Sequence, residues 1–182
     1  MLLRAVLSIP DVEQIDAFAE PWRRIYAQSP LLSTLILFGH LGGLFAAGGL
    51  TVAADRATLR LDPGDELDRR RHLSDLARLQ RPVRLALVVA LISGALLFLA
   101  DVEAFALSPI FWTKMALVAL LVVNVVYTAR LDAALRREES ASEALPEGRF
   151  RVRRWRRRRA VAIASALLWF GLLFVGTALA SH

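Results

Sequence analysis

Four long apolar segments, separated by arginine-rich or acidic stretches, dominate the hydropathy pattern of this chain. Leu31 to Ala54 and Ala160 to Ala180 are free of charge. Leu85 to Ala100 is shorter and extends back to Val83 across Arg84, which can snorkel, and Ala104 to Thr128 is interrupted by Lys114 alone. About 20 apolar residues of helix cross a hydrocarbon core about 30 Å thick. The pattern therefore predicts spans at about 31–54, 83–100, 108–129 and 160–180, joined by loops 55–82 and 130–159.

Shorter periodicities lie between and before the spans. In the tail, 1–30, Ile15, Phe18, Trp22, Ile25 and Tyr26 recur at helical spacing among Asp16, Glu20, Arg23 and Arg24. This predicts an amphipathic helix on the outer interface, broken or kinked at Pro21, with Pro30 turning the chain into the first span. Asp62-Pro63-Gly64-Asp65 is a turn signal. A helix from Asp65 then sets Leu73, Leu76 and Leu79 on one side before Pro82, and the third span is expected to continue helically through 131–145. The expected fold is all-α: one integral-membrane domain, 1–182, built as an antiparallel four-helix bundle with an N-terminal interfacial helix.

Composition supports this class and narrows the chemistry. The chain has 182 residues, 56% hydrophobic, with a mean hydropathy of +0.47, more apolar than a soluble domain. Met1 to Ile9 is too short for a signal peptide, and Pro10-Asp11-Val12-Glu13 offers no cleavage site. The absence of cysteine excludes disulfides, thiolate metal sites and cysteine nucleophiles. No P-loop, zincin, dinucleotide or serine-triad motif occurs.

Charge sets the expected orientation. Arginines crowd the two long loops, whereas the short link between spans two and three carries only Asp101 and Glu103. The positive-inside rule then puts both long loops in the cytoplasm and both termini outside a bacterial inner membrane. Arg149, Arg151, Arg153, Arg154, Arg156, Arg157, Arg158 and Arg159 make eight arginines in eleven positions just before span four. That run reads as contact with anionic lipid headgroups, worth about 1 kcal/mol per charge, rather than with nucleic acid.

Two polar residues within the spans carry the candidate chemistry. Lys114 is the one lysine among 23 basic residues, and His40 lies in Phe38-Gly39-His40-Leu41-Gly42-Gly43. An intramembrane ionisable group costs about 2.5–3.5 kcal/mol on insertion scales and normally has a partner or a task. His40, Lys114 and Ser93 are expected in one layer of the outer half of the membrane. A neutral imidazole suits haem iron, and Gly43, one turn beyond His40, would leave a flat space for a porphyrin. Gly39, Gly43 and Ala47 read equally as a small-residue packing face. His40 could instead bond a neighbouring helix, and Lys114 could snorkel or pair with Asp101 or Glu103. Asn124 reads as interhelical glue, and His72 as a solvated loop residue. The five glycines of span one fit a homodimer.

Leu37-Phe38-Gly39-His40-Leu41-Gly42-Gly43-Leu44, Pro109-Ile110-Phe111-Trp112-Thr113-Lys114-Met115 and the tail from Ile15 through Trp22-Arg23 resemble an uncharacterised family of bacterial four-span inner-membrane proteins. The chain is more distantly similar to haem-dependent protoporphyrinogen oxidase and copper-resistance D-type membrane proteins. That resemblance implies haem b, with His40 and Lys114 as the functional pair, and Arg56 following span one as a basic residue does there. This chain departs from it in its extra tail helix, larger basic loop and lack of a second intramembrane histidine. The leading expectation is a haem-, porphyrin- or quinone-associated redox protein. The rival is a non-enzymatic membrane subunit or small-molecule carrier, with His40 and Lys114 as a structural or proton-relay site.

Overall fold

The computed structural model describes residues 9–62, 64–141 and 148–180, with side chains over 14–62, 64–138 and 154–179. Among these residues the structure is all-helical, with no strand. In chain order the helices are α1 (Ile9–Gln28), α2 (Pro30–Arg60), α3 (Glu66–Ala100), α4 (Val102–Ala106), α5 (Pro109–Ala141) and α6 (Gly148–Ala180). Four of them, α2, α3, α5 and α6, are long and apolar enough to cross a membrane. Phe38, Phe45, Phe170 and Phe174 stand outward on these helices, where a hydrocarbon surrounding would accept them.

Local chemistry explains the boundaries. Ser29 caps α2, its hydroxyl accepting from Leu32 N, and Pro30 takes the first helical position, where no amide donor is needed. Gly64 N donates to Asp62 Oδ1 at 2.9 Å, and Asp65 caps α3 through Asp68 N, so the expected turn forms. Two boundaries differ from the sequence reading. α1 runs unbroken through Pro21, and α3 runs unbroken through Pro82, so the helix begun at Asp65 and the second span are one 35-residue element. Much of loop 55–82 is thereby helical.

α2 packs most extensively on α3, α5 on α6, and α2 on α6, while α3 and α5 share a smaller contact. Three apolar cores follow one another along the helices. At the tail end, Ala19 of α1 is buried with Val102 and Ala106, and Trp22 Nε1 donates to Leu96 O. Phe18 stays 82% exposed, so α1 docks by one face and leaves an apolar one outward. Mid-length, Ala47, Leu121, Trp169 and Leu172 form the second core. At the arginine-rich end, Leu73, Leu76, Leu135 and Trp155 form the third, beyond the apolar segments.

Candidate functional site

The buried stripe of α6 runs Trp155, Arg158, Ala162, Ser165, Trp169, Leu172, three or four residues apart. That spacing keeps one face of a helix inward, and it carries an arginine into the interior. Arg158 Nε donates to Asp132 Oδ1 at 2.7 Å, and Nη1 to Asp55 Oδ1 at 3.1 Å. Arg158 is 2% exposed and each aspartate 3%. A guanidinium presents its donors in a planar fork, so one side chain can bridge two carboxylates. The three helices α2, α5 and α6 are thereby tied together by charge. With all groups ionised, the cluster has one negative charge in excess.

A cavity of about 110 Å³ adjoins the cluster, lined from α2, α3, α5 and α6. That is well above the roughly 10–15 Å³ that a single buried water needs. Thr51 Oγ1, Gln80 Nε2 and Asp55 Oδ2 are buried without a hydrogen-bond partner among the described residues, and all three residues line this cavity. Ser165 stands beside the Asp55 carboxylate without a well-aligned hydrogen bond. Asn124 also lines the space.

Beside the cluster, Thr58 Oγ1 donates to Ala54 O at 3.0 Å and lies 2.8 Å from His72 Nε2. Since the hydroxyl proton is committed to Ala54, His72 Nε2 is the donor and carries hydrogen. The His72 ring meets Trp155 edge-on at 6.3 Å. His72 is therefore half-buried structure rather than a solvated loop residue. Burial pushes its pKa down from the usual 6.5, the Arg158 charge adds to that, and Asp75 opposes it.

The arginine run divides. Arg158 is a buried ion-pair residue rather than a lipid contact, because its partners lie on two neighbouring helices. Arg154 Nη1 pairs with Glu138 at 2.6 Å, and Arg159 Nη2 donates to Leu61 O at 2.6 Å. Arg156 and Arg157 are exposed. The side chains of Arg149, Arg151 and Arg153 lie outside the described residues.

Toward the tail end, His40 Nδ1 is 2.9 Å from Ala90 O, and Ser93 Oγ donates to Val89 O at 2.6 Å and Ala90 O at 3.2 Å. A carbonyl only accepts, so Nδ1 carries the proton and Nε2 keeps a lone pair. The ring lies against Gly94, where an added Cβ would be 3.0 Å from Cε1. Lys114 is half-buried within electrostatic range of His40. It makes no ion pair with Asp101 or Glu103; Asp101 instead caps α4 through Ala104 N. At Gly43 an added Cβ would stand 2.8 Å from Ala86 O and 2.9 Å from Ala90 N. Backbone of α3 fills that side of α2, so Gly43 provides close helix approach and no slot for a ring.

Sequence reasoning singled out His40, Gly43, Ser93 and Lys114, missed Asp55 and Asp132, and read Arg158 as a lipid contact. The missing signal was periodicity. Asp55 continues the Gly43–Ala47–Thr51 side of α2, Asp132 continues Leu121–Thr128 on α5, and Arg158 lies on the Trp155–Ala162–Ser165 face. Among the described residues no group of three or more histidine and acidic side chains is placed to hold a metal ion. In comparisons with known proteins, no family model, no curated protein and no solved structure matches this chain.

Proposed function

We propose that this chain is a bacterial inner-membrane carrier of protons or of a small polar solute. Its four spans would form an antiparallel bundle, with both termini outside and the arginine-rich end in the cytoplasm. Arg156 and Arg157 would meet anionic headgroups there. The observation that carries this reading is the cavity at Asp55, Asp132 and Arg158, where buried polar atoms interrupt a largely apolar lining, on inward stripes that bear His40 and Lys114 toward the other end. Between the two polar zones lies the core of Ala47, Leu121, Trp169 and Leu172. Intramembrane ionisable groups mark ion and substrate paths, and an apolar layer between two wet zones acts as a gate. Asp55 Oδ2, buried without a hydrogen-bond partner among the described residues, is the acceptor that a proton or a cationic solute would meet there.

The chain has no cysteine, so single introduced cysteines report access cleanly. Ser93→Cys and Thr51→Cys should react with a membrane-impermeant thiol reagent from opposite sides of vesicles, and Leu121→Cys from neither. Labelling of Ser93→Cys and Thr51→Cys from neither side would end the carrier reading.

A second reading retains His40 as an axial ligand of haem b, with Lys114 beside it. It is favoured by the Nδ1 contact to Ala90, because holding one nitrogen on a carbonyl orients the other toward a metal. The iron would supply one-electron redox chemistry, with His40 Nε2 as its ligand and Lys114 as a cation for a propionate. The closed face at Gly43 weighs against it. A Soret band in protein expressed with haem precursor, lost in His40→Ala, is the expected result of this reading; colourless protein would exclude it.

A further inference from the structure

A groove of about 820 Å³ runs between α2 and α6, away from the charged cavity. Phe45, Gly49, Trp169 and Phe170 line its apolar length, and Arg56 and Arg60 stand at one end. Trp169 forms its floor against Gly48, where an added Cβ would meet the indole at 3.0 Å; at Gly49 a Cβ would meet nothing within 4 Å. Arg56 and Arg60 are exposed, and neither makes an ion pair among the described residues. From Phe45 to Arg56 the helix rises about 16 Å, close to the roughly 15 Å of hydrocarbon in one leaflet.

The geometry points to a site for one anionic phospholipid, its acyl chain in the α2–α6 groove and its phosphate on Arg56 and Arg60. The apolar trough and the charged end are separated as a lipid's tail and headgroup are. A second copy of the chain is the rival occupant, since Gly42, Ala46, Gly49 and Ala53 also face outward. Charge decides against it, because a parallel pair joined at this face would bring four unpaired arginines together. Arg159 of the arginine run before span four lies close by, held on Leu61 O, and the site stands independently of the carrier reading.

Native mass spectrometry of the detergent-purified protein tests it, using phosphatidylglycerol and phosphatidylcholine with matched acyl chains. The wild type should retain one phosphatidylglycerol about 30-fold more tightly than phosphatidylcholine, as expected for two arginines at about 1 kcal/mol each. Arg56→Gln with Arg60→Gln should erase that preference. Gly49→Phe should evict the lipid without changing charge, and excess inorganic phosphate should not displace it. Equal retention of both lipids, or an unchanged preference in the arginine variant, overturns the site. A lipid-free dimer that Gly49→Phe splits overturns it too, and makes the face a self-association surface.

Discussion

Arg158 holds two carboxylates at a buried site, with all three side chains almost fully covered. Breaking such a pair from one side leaves an uncompensated buried charge, at a cost of about 3–5 kcal/mol. Arg158→Met should therefore lower the melting temperature in detergent sharply. Combining it with Asp55→Asn and Asp132→Asn should recover most of the loss, because the charges are then gone together. An Arg158→Met protein that melts like wild type would show that the pairs do not hold α2, α5 and α6 together. The two neighbouring glycines of α2 make a second contrast at this scale. Gly43→Ala must push against Ala86 O and Ala90 N, a backbone surface that cannot rotate away. Overpacking of this kind costs about 1–3 kcal/mol. Gly42→Ala meets nothing within 4 Å, so it should be neutral, or stabilising by up to about 1 kcal/mol through helix propensity. Equal melting temperatures for the two variants would contradict the close α2–α3 contact.

At the scale of elements, the pairing of α2 with α3 beyond the apolar segments depends on Thr58 and His72. His72 has its folded pKa pushed below the usual 6.5 by burial. Between that depressed value and 6.5 the unfolded chain binds the extra proton, so stability from this group is full above about 6.5 and falls as pH drops through the window. His72→Gln keeps a donor for Thr58 and removes the titration. The wild-type minus His72→Gln difference in stability should shrink as pH falls from 7 to 5, and a flat difference would sink the assignment. These elements were partly legible in the sequence. Pro30, Asp62 to Asp65 and the Leu73–Leu76 spacing announced helix starts and a packed face, whereas the Ser29 cap went unread. Pro21 and Pro82 misled because each lies within a helix held by its neighbours, and packing overrides a local breaker.

At the scale of the whole molecule, the four helices long and apolar enough to cross a membrane were legible because hydrocarbon thickness demands one long apolar pattern per crossing. The charged centre was not, because each member was hidden among others of its kind. Asp55 directly follows an uncharged run and looked like its boundary, while Arg158 is one of eight arginines in eleven positions. Only the three-and-four spacing shared with Trp155, Ala162 and Ser165 distinguishes it from Arg156 and Arg157. His40 was legible as an oddity, yet its neighbour across the helix interface, the Ala90 carbonyl, is backbone and leaves no mark in a sequence. On the proposed reading, the polar residues at both ends of one apolar layer would make the molecule a path with a closed middle. The most direct test is proton uptake into liposomes holding the purified protein, driven by a potassium diffusion potential and read by an enclosed pH dye. Uptake above that of protein-free vesicles is predicted. It should be abolished by Asp55→Asn, which leaves Arg158 paired with Asp132 and keeps an amide oxygen able to accept from it, so that it should melt well above Arg158→Met. Uptake no faster than the empty-vesicle leak, or undiminished in Asp55→Asn, would contradict the reading of this interior as a proton path.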